Sequence, residues 1–290
     1  MNAAAVAPQD YRERRISAQD GLRLFLRDFG DPLAPEVPLL CLSGLARNSK
    51  DFIGFARRHA ARRRVVCPDY RGRGQSDYDA EWRNYRPEVY LRDLATLLAA
   101  CNLHRVIVCG TSMGGLLAMG LAVSNPIVLA GVILNDVGPA LETQAVGRIR
   151  DHIARDQPLA DWAAASAEAK RLHAELGYGE DEAKWRRFVE ATYRQGPDGR
   201  LRVDWDVRIA RTLGGQLPDL WPFFRAIRRL PALAIRGSQS SVLTAKTFAA
   251  MLAEKPDLLQ VTVPDVGHAP ALDEAEAEQA IDDFVAGIDS

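Results

Sequence analysis

The stretch VIVCGTSMGGLLAMGLA, residues 106–122, decides the fold. Its first part is an apolar, β-branched run that reads as a buried strand. Its second part reads as an apolar helix. Between them lies Gly110-Thr111-Ser112-Met113-Gly114, a Gly-x-Ser-x-Gly turn. Glycines flanking a serine at a sharp strand-to-helix turn let the backbone take up strain, lift the hydroxyl clear of the sheet and aim the next N–H, here that of Met113, at the reacting group. The helix N-terminus adds a field that favours the negative charge of a tetrahedral acyl intermediate. The competing reading is a chance Gly/Ser turn. The preceding strand, the following helix and a further glycine at Gly115 argue against it, and Ser112 is the candidate nucleophile.

A serine hydroxyl attacks poorly at neutral pH unless an imidazole takes its proton. Of the five histidines, His268 stands in VPDVGHAP (263–270), a Gly/Pro-punctuated loop between the last strand and the last helix. That places it at the carboxyl edge of the sheet, where the serine also lies. His59, His104, His152 and His173 fit packing or solvated positions.

Outward from the turn, short apolar runs alternate with amphipathic segments, the rhythm of a mostly parallel α/β sheet covered by helices. Strands are expected at 22–29, 37–43, 64–68, 105–110, 129–135, 231–237 and 258–264, and helices at 49–63, 87–101 and 271–288. The rhythm breaks from about Gly138 to Phe224, where Ala-rich helical segments replace strands and Trp162, Trp185, Trp205 and Trp221 cluster. These tryptophans suit a small core of the insertion, with one or two reaching a pocket. The expected organisation is a core formed by residues 1–138 and 226–290, with an inserted helical segment over 139–225.

Composition narrows the function. With 37 Lys+Arg against 38 Asp+Glu the net charge is −1, so no overall field favours nucleic acid or an acidic membrane surface. The first residues show no signal-peptide pattern and no run approaches membrane-spanning length, so a soluble, cytoplasmic protein acting on a small molecule is expected. Cys41, Cys67, Cys101 and Cys109 show no C-x-x-C pairing and read as buried thiols. No histidine has a metal-ligand neighbour at suitable spacing, and YRGRGQSD (70–77) lacks the third glycine of a nucleotide loop, so no metal or cofactor is expected. Arg71 and Arg73 are expected to brace that loop through ion pairs.

Taken in order, CLSGLARNSKDF (41–52), PDYRGRGQSD (68–77), CGTSMGG (109–115), LNDVGP (134–139), RGSQSSVLT (236–244) and PDVGHAP (264–270) resemble the α/β-hydrolase superfamily, especially its bacterial ester- and lactone-hydrolysing branch with the enol-lactone hydrolases. The resemblance implies a mostly parallel sheet of about eight strands flanked by helices, a helical cap in place of the insertion, and the order nucleophile, acid, histidine. Many members carry His-Gly after the third strand. This chain has Ser43-Gly44, and the Leu45 N–H can still complete an oxyanion hole with Met113.

The acid is the departure that matters. RGSQSSVLT resembles a segment that usually reads Ser-Asp, and Ser241 stands where the carboxylate is expected. Strands 129–135 and 231–237 should be parallel neighbours about 4.8 Å apart, so a carboxylate at the end of the first reaches the same histidine. That makes Asp136 the candidate acid. A structural duty for Asp136 in its turn, orientation of His268 by Ser241 or water, and Asp265 as acid stay open. The reaction implied is two-step acyl transfer from a small ester or lactone. A carbon–carbon bond hydrolase with the same residues, and a catalytically degenerate binding protein on this fold, are the alternatives.

Overall fold

In the computed structural model, which describes residues 10–215 and 217–290, the apolar runs become strands of one eight-stranded sheet. The N-terminal stretch read for a leader lies largely in residues 1–9, outside the described residues. In chain order come β1 (Tyr11–Ser17), β2 (Arg23–Phe29), β3 (Leu39–Leu42), α1 (Ile53–His59), β4 (Val65–Pro68), α2 (Pro87–Ala100), β5 (Val106–Thr111), α3 (Met113–Ser124) and β6 (Leu129–Asn135). The inserted segment holds α4 (Thr143–Ile153), α5 (Trp162–Leu172), α6 (Glu182–Thr192), a hairpin of β7 (Tyr193–Gln195) and β8 (Leu201–Val203), and α7 (Trp221–Ala226). The chain then returns to the sheet with β9 (Ala232–Gly237), α8 (Ala245–Glu254), β10 (Leu259–Val263) and α9 (Ala275–Asp289).

The strand order is β1-β2-β4-β3-β5-β6-β9-β10. β1 and β2 run antiparallel to their neighbours, and the remaining strands are parallel. Successive strand residues face opposite sides, so each strand feeds two cores. Leu40, Leu42, Val106 and Val108 pack with Leu94 of α2 and Leu117 of α3. Leu39, Cys41, Ile107 and Cys109 pack on the other face with Phe55 of α1 and Ile281 of α9. All four cysteines are buried and free. Among the described residues no helix is long and apolar enough to cross a membrane.

The structure adds α8, which the periodicity reading does not include, and differs from that reading at three further places. β1 escapes it because Arg12, Glu13, Arg14 and Arg15 fill its middle, the charged signature of an edge strand that resists further pairing. The segment expected as a helix from 49 begins as a 3₁₀ turn, Ser49–Phe52, and the α-helix ends at His59. Beyond it, Arg63 and Arg64 turn inward to bury their guanidinium groups against Asp289 and Asp28. α9 starts at Ala275 rather than 271, because the Glu274 carboxylate accepts the Ala271 and Leu272 N–H groups and holds them in a turn.

Asp28 ties the antiparallel edge to the parallel sheet. Its buried carboxylate accepts two hydrogen bonds from Arg64, at 2.9 and 2.8 Å, and one each from Arg12 and Arg14 of β1. Burial pushes its pKa up, but the arginines outweigh burial and hold it below the ordinary value. A depressed carboxylate pKa contributes stability at neutral pH that is lost as pH falls through roughly 4 and below. Asp28→Ala leaves Arg64 buried without its counter-charge and is expected to cost about 3–5 kcal/mol in urea unfolding at pH 7, with a smaller deficit at acidic pH.

Candidate active site

Ser112 sits between β5 and α3 with φ 52° and ψ −118°, a backbone conformation that a side-chain-bearing residue adopts only under constraint. The constraint is visible on both sides. The Ser112 N–H donates to the Asn135 carbonyl at 3.0 Å, and the Asn135 amide bridges Thr111 Oγ1 at 3.0 Å and the Pro270 carbonyl at 2.9 Å. α3 must also start almost in contact with the strands. A Cβ on Gly110 would overlap the Gly114 carbonyl, and one on Gly114 would overlap that of Leu42, so the two glycines of the motif allow the close approach.

The structure brings three of the candidate side chains together. His268 Nε2 lies 3.0 Å from Ser112 Oγ, and His268 Nδ1 lies 2.7 Å from Asp136 Oδ2. β6 and β9 are parallel neighbours as expected, and Asp136 follows β6 directly with no solvent exposure. Its Oδ1 accepts the Gly237 N–H at 3.0 Å, and its Oδ2 accepts the Ser240 hydroxyl at 2.6 Å. Asp265 is exposed and its N–H donates to the Ser238 hydroxyl, away from this run.

Ser241 is not the residue that meets the imidazole or its partner. Its hydroxyl accepts from exposed Arg148 at 3.2 Å. The neighbour that matters is Ser240, which the sequence reading passed over. Its hydroxyl accepts the Val242 and Leu243 N–H groups, both at 3.1 Å, while donating to Asp136. The turn from Gly237, closed by Ser240 N–H to the Gly237 carbonyl at 2.9 Å, is what faces Ser240 back toward the sheet.

Leu45 and Met113 flank the serine. Met113 is the first residue of α3, where an N–H has no intrahelical acceptor. On the other side, a Cβ built on Gly44 would lie 3.8 Å from Ser112 Cβ, so the loop carrying Leu45 passes beside the nucleophile candidate. The loop is anchored from behind by Tyr70, whose hydroxyl donates to the Ser43 carbonyl at 3.2 Å, and by Arg73, whose Nε donates to the Leu45 carbonyl at 2.7 Å. Arg71 is the ion-pair brace expected of this region, meeting Asp93, Asp79 and Asp20. Arg73 departs from that expectation. It is fully buried, has no carboxylate partner among the described residues, and stacks over Tyr90 with 4.9 Å to the ring centroid.

A cavity of about 1140 Å³ opens onto Ser112 and His268, at the large end for a small-molecule site. Its floor is Leu45, Met113 and Val137, and its opposite wall comes from the insertion. The insertion is held to the core at two buried carboxylates. Asp204 accepts from Asn48 and Lys50, and Asp206 accepts from the Tyr85 hydroxyl at 2.7 Å. Of the four tryptophans named from the sequence, Trp205 lines the cavity, whereas Trp185 packs on Tyr178 inside the insertion.

Comparison with known proteins places this geometry in context. Residues 39–281 match the model of the Alpha/beta hydrolase family. The chain is 36% identical over 259 residues to a 3-hydroxybutyrate-oligomer hydrolase of Cupriavidus necator, spanning 86% of this chain and 87% of the relative. It is 28% identical to a 2-(acetamidomethylene)succinate hydrolase of Mesorhizobium japonicum, spanning 92% of each. A crystal structure of an alpha/beta hydrolase from Novosphingobium aromaticivorans superposes with a TM-score of 0.91 at 38% identity, covering 97% of this chain and 99% of that one.

The two adjacent serines make a direct test of the hydrogen-bond run. Ser240→Ala removes a donor to a buried carboxylate, worth roughly 1.5–3 kcal/mol, so modification of Ser112 by a fluorophosphonate should slow about tenfold or more. Ser241→Ala should react within about twofold of wild type, since among the described residues its hydroxyl is hydrogen-bonded to a surface arginine and not to Asp136 or His268.

Proposed function

The chain belongs to the alpha/beta hydrolase family, and from that premise we propose that it is a serine hydrolase of small carboxylic esters working through an acyl-enzyme. One observation carries the reading: the continuous hydrogen-bonded run from buried Asp136 through His268 to Ser112 on its strained turn. In this reading Ser112 Oγ attacks the ester carbonyl carbon while His268 Nε2 takes its proton. The carbonyl oxygen gathers negative charge and is held by the N–H groups of Leu45 and Met113. The acyl C–O bond then breaks, and the alcohol leaves with the proton that His268 returns. Water, deprotonated by the same imidazole, attacks the acyl-serine and releases the carboxylic acid. Each step moves a proton or an acyl group, which these side chains can do without a cofactor. Asp136 keeps the Nδ1–H tautomer of His268 and balances its charge when both nitrogens are protonated.

Residues 139–225 act in this reading as a cap over the cavity, with the hydrolase core contributed by 1–138 and 226–290. The substrate class follows from the apolar floor and from likeness to a hydrolase of 3-hydroxybutyrate oligomers, whose repeating bond is an ester of a short hydroxy acid. Esters of that kind are favoured here over lactones and over carbon–carbon bonds.

The experiment is labelling with a fluorophosphonate, followed by rates on a panel of short esters, lactones and a diketone. Wild type should label and Ser112→Ala should not. Asp136→Asn should fold and lose turnover by about 10⁴-fold, because the imidazole is left in the wrong tautomer. Absence of labelling in wild type, with a control hydrolase reacting, would leave a binding protein on this fold. Faster cleavage of the diketone than of any ester would move the reading to carbon–carbon hydrolysis.

A further inference from the structure

The cavity wall changes character on its insertion side. α4 presents Ala145 and Ile149 to the cavity at helical spacing, and His152 continues that face beside Ile153, placing an imidazole among aliphatic residues. The His152 ring meets His173 edge-on at 5.2 Å between centroids, and His173 lies 5.1 Å from Phe188. The Arg47 guanidinium sits 4.4 Å from the Phe188 centroid. Arg47 gives two hydrogen bonds to Asp51 and one to Thr192, fewer than its N–H groups can make. Neither ring nitrogen of His152 has a hydrogen-bond partner among the described residues.

The charges facing His152 are mainly positive. They come from His173, from Arg155 just beyond its own helix and from Arg47, with Glu168 of α5 opposing them. Glu168 is already paired with Arg171, as Arg47 is with Asp51, and His173 Nδ1 is 3.6 Å from Glu175. Burial first, then these positive neighbours, push the His152 pKa down to about 4. An uncharged imidazole with a free donor, opening on a cavity where positive neighbours outnumber the one opposing carboxylate, itself paired with Arg171, is complementary to a carboxylate.

The cluster is also adjacent to the chemistry. The Gly267 N–H, next to His268, donates to the Glu175 carbonyl at 2.5 Å, so the loop of the histidine rests on the turn that carries His173. His268 is the group that protonates the leaving alcohol in the proposed reaction, which puts the alcohol half of the ester on this side. We propose that His152, His173 and Arg47 form a subsite for a carboxylate on the alcohol half, making the preferred substrates esters of short hydroxy acids with a free acid end. The inference rests on the hydrolase reading and adds to it the group that selects the substrate.

The test compares two single-bond esters of matched shape, 3-(butyryloxy)butanoate and 4-methylpentan-2-yl butyrate, by release of butyrate. Wild type should prefer the acid. His152→Phe and His173→Phe keep an aromatic ring in place but remove the nitrogens, and each should lower the ratio of the two kcat/KM values by about tenfold or more, chiefly through KM. A ratio unchanged within about twofold in both variants, or a wild type that prefers the neutral ester, overturns the subsite. Cleavage of neither ester by wild type would instead count against the hydrolase reading. The subsite is then judged alone by imidazole NMR of the wild-type protein titrated with 3-hydroxybutyrate: shifts at His152 and His173 support it, and their absence overturns it.

Discussion

A carboxylate removed from water is tolerable only when each oxygen finds a donor, and Asp136 meets that condition with three groups from two separate parts of the chain. Gly237 ends β9, Ser240 closes the turn after it, and His268 arrives on the loop after β10. None of these donors can be withdrawn without leaving a buried charge short of a partner. The acid therefore does structural work in addition to its proposed role, because it fixes the spacing of β6, β9 and the histidine loop. The imidazole has little freedom left, and its second nitrogen is delivered to Ser112.

The serine is constrained from the opposite direction. Its backbone strain is stored in a turn where α3 abuts β3 and β5 through glycine, and the Asn135 carbonyl holds the Ser112 N–H. Two rigid constructions thus meet at one hydrogen bond, one built on β5 and the other on β6 and β9. The loop with Leu45 is a third, anchored by Tyr70 and by an arginine without a counter-carboxylate. Preorganisation of this kind lowers the reorganisation that charge development would otherwise demand.

How much of this could be read from sequence depends on how local the cause is. The turn at Ser112 is announced by its own glycines, and His268 by a short punctuated loop, so both were legible. Asp136 required a topological step, the parallel pairing of two strands a hundred residues apart, which the apolar runs 129–135 and 231–237 permit. Ser240 was missed because the resemblance drew attention to Ser241, and a turn decides by a single residue which hydroxyl faces inward. β1 was hidden because its stability comes from arginines that find Asp28 across the sheet, not from an apolar pattern.

The insertion shows the same limit more strongly. Its helical character was visible in composition, yet His152 and His173 read there as ordinary packing or solvated residues. Each is one side chain on a separate element, and nothing in local spacing indicates that their rings meet on the wall of the cavity that Ser112 enters. An active-site core recurs because its chemistry demands fixed neighbours, so it leaves motifs. In the proposed function, selectivity would come from the side chains that the insertion turns toward the cavity, a segment tied to the core where Asp204 meets Lys50 and Asp206 meets Tyr85. A substrate preference would then be encoded by tertiary placement alone, which is why the wall opposite the serine says more about the ligand than the motif does.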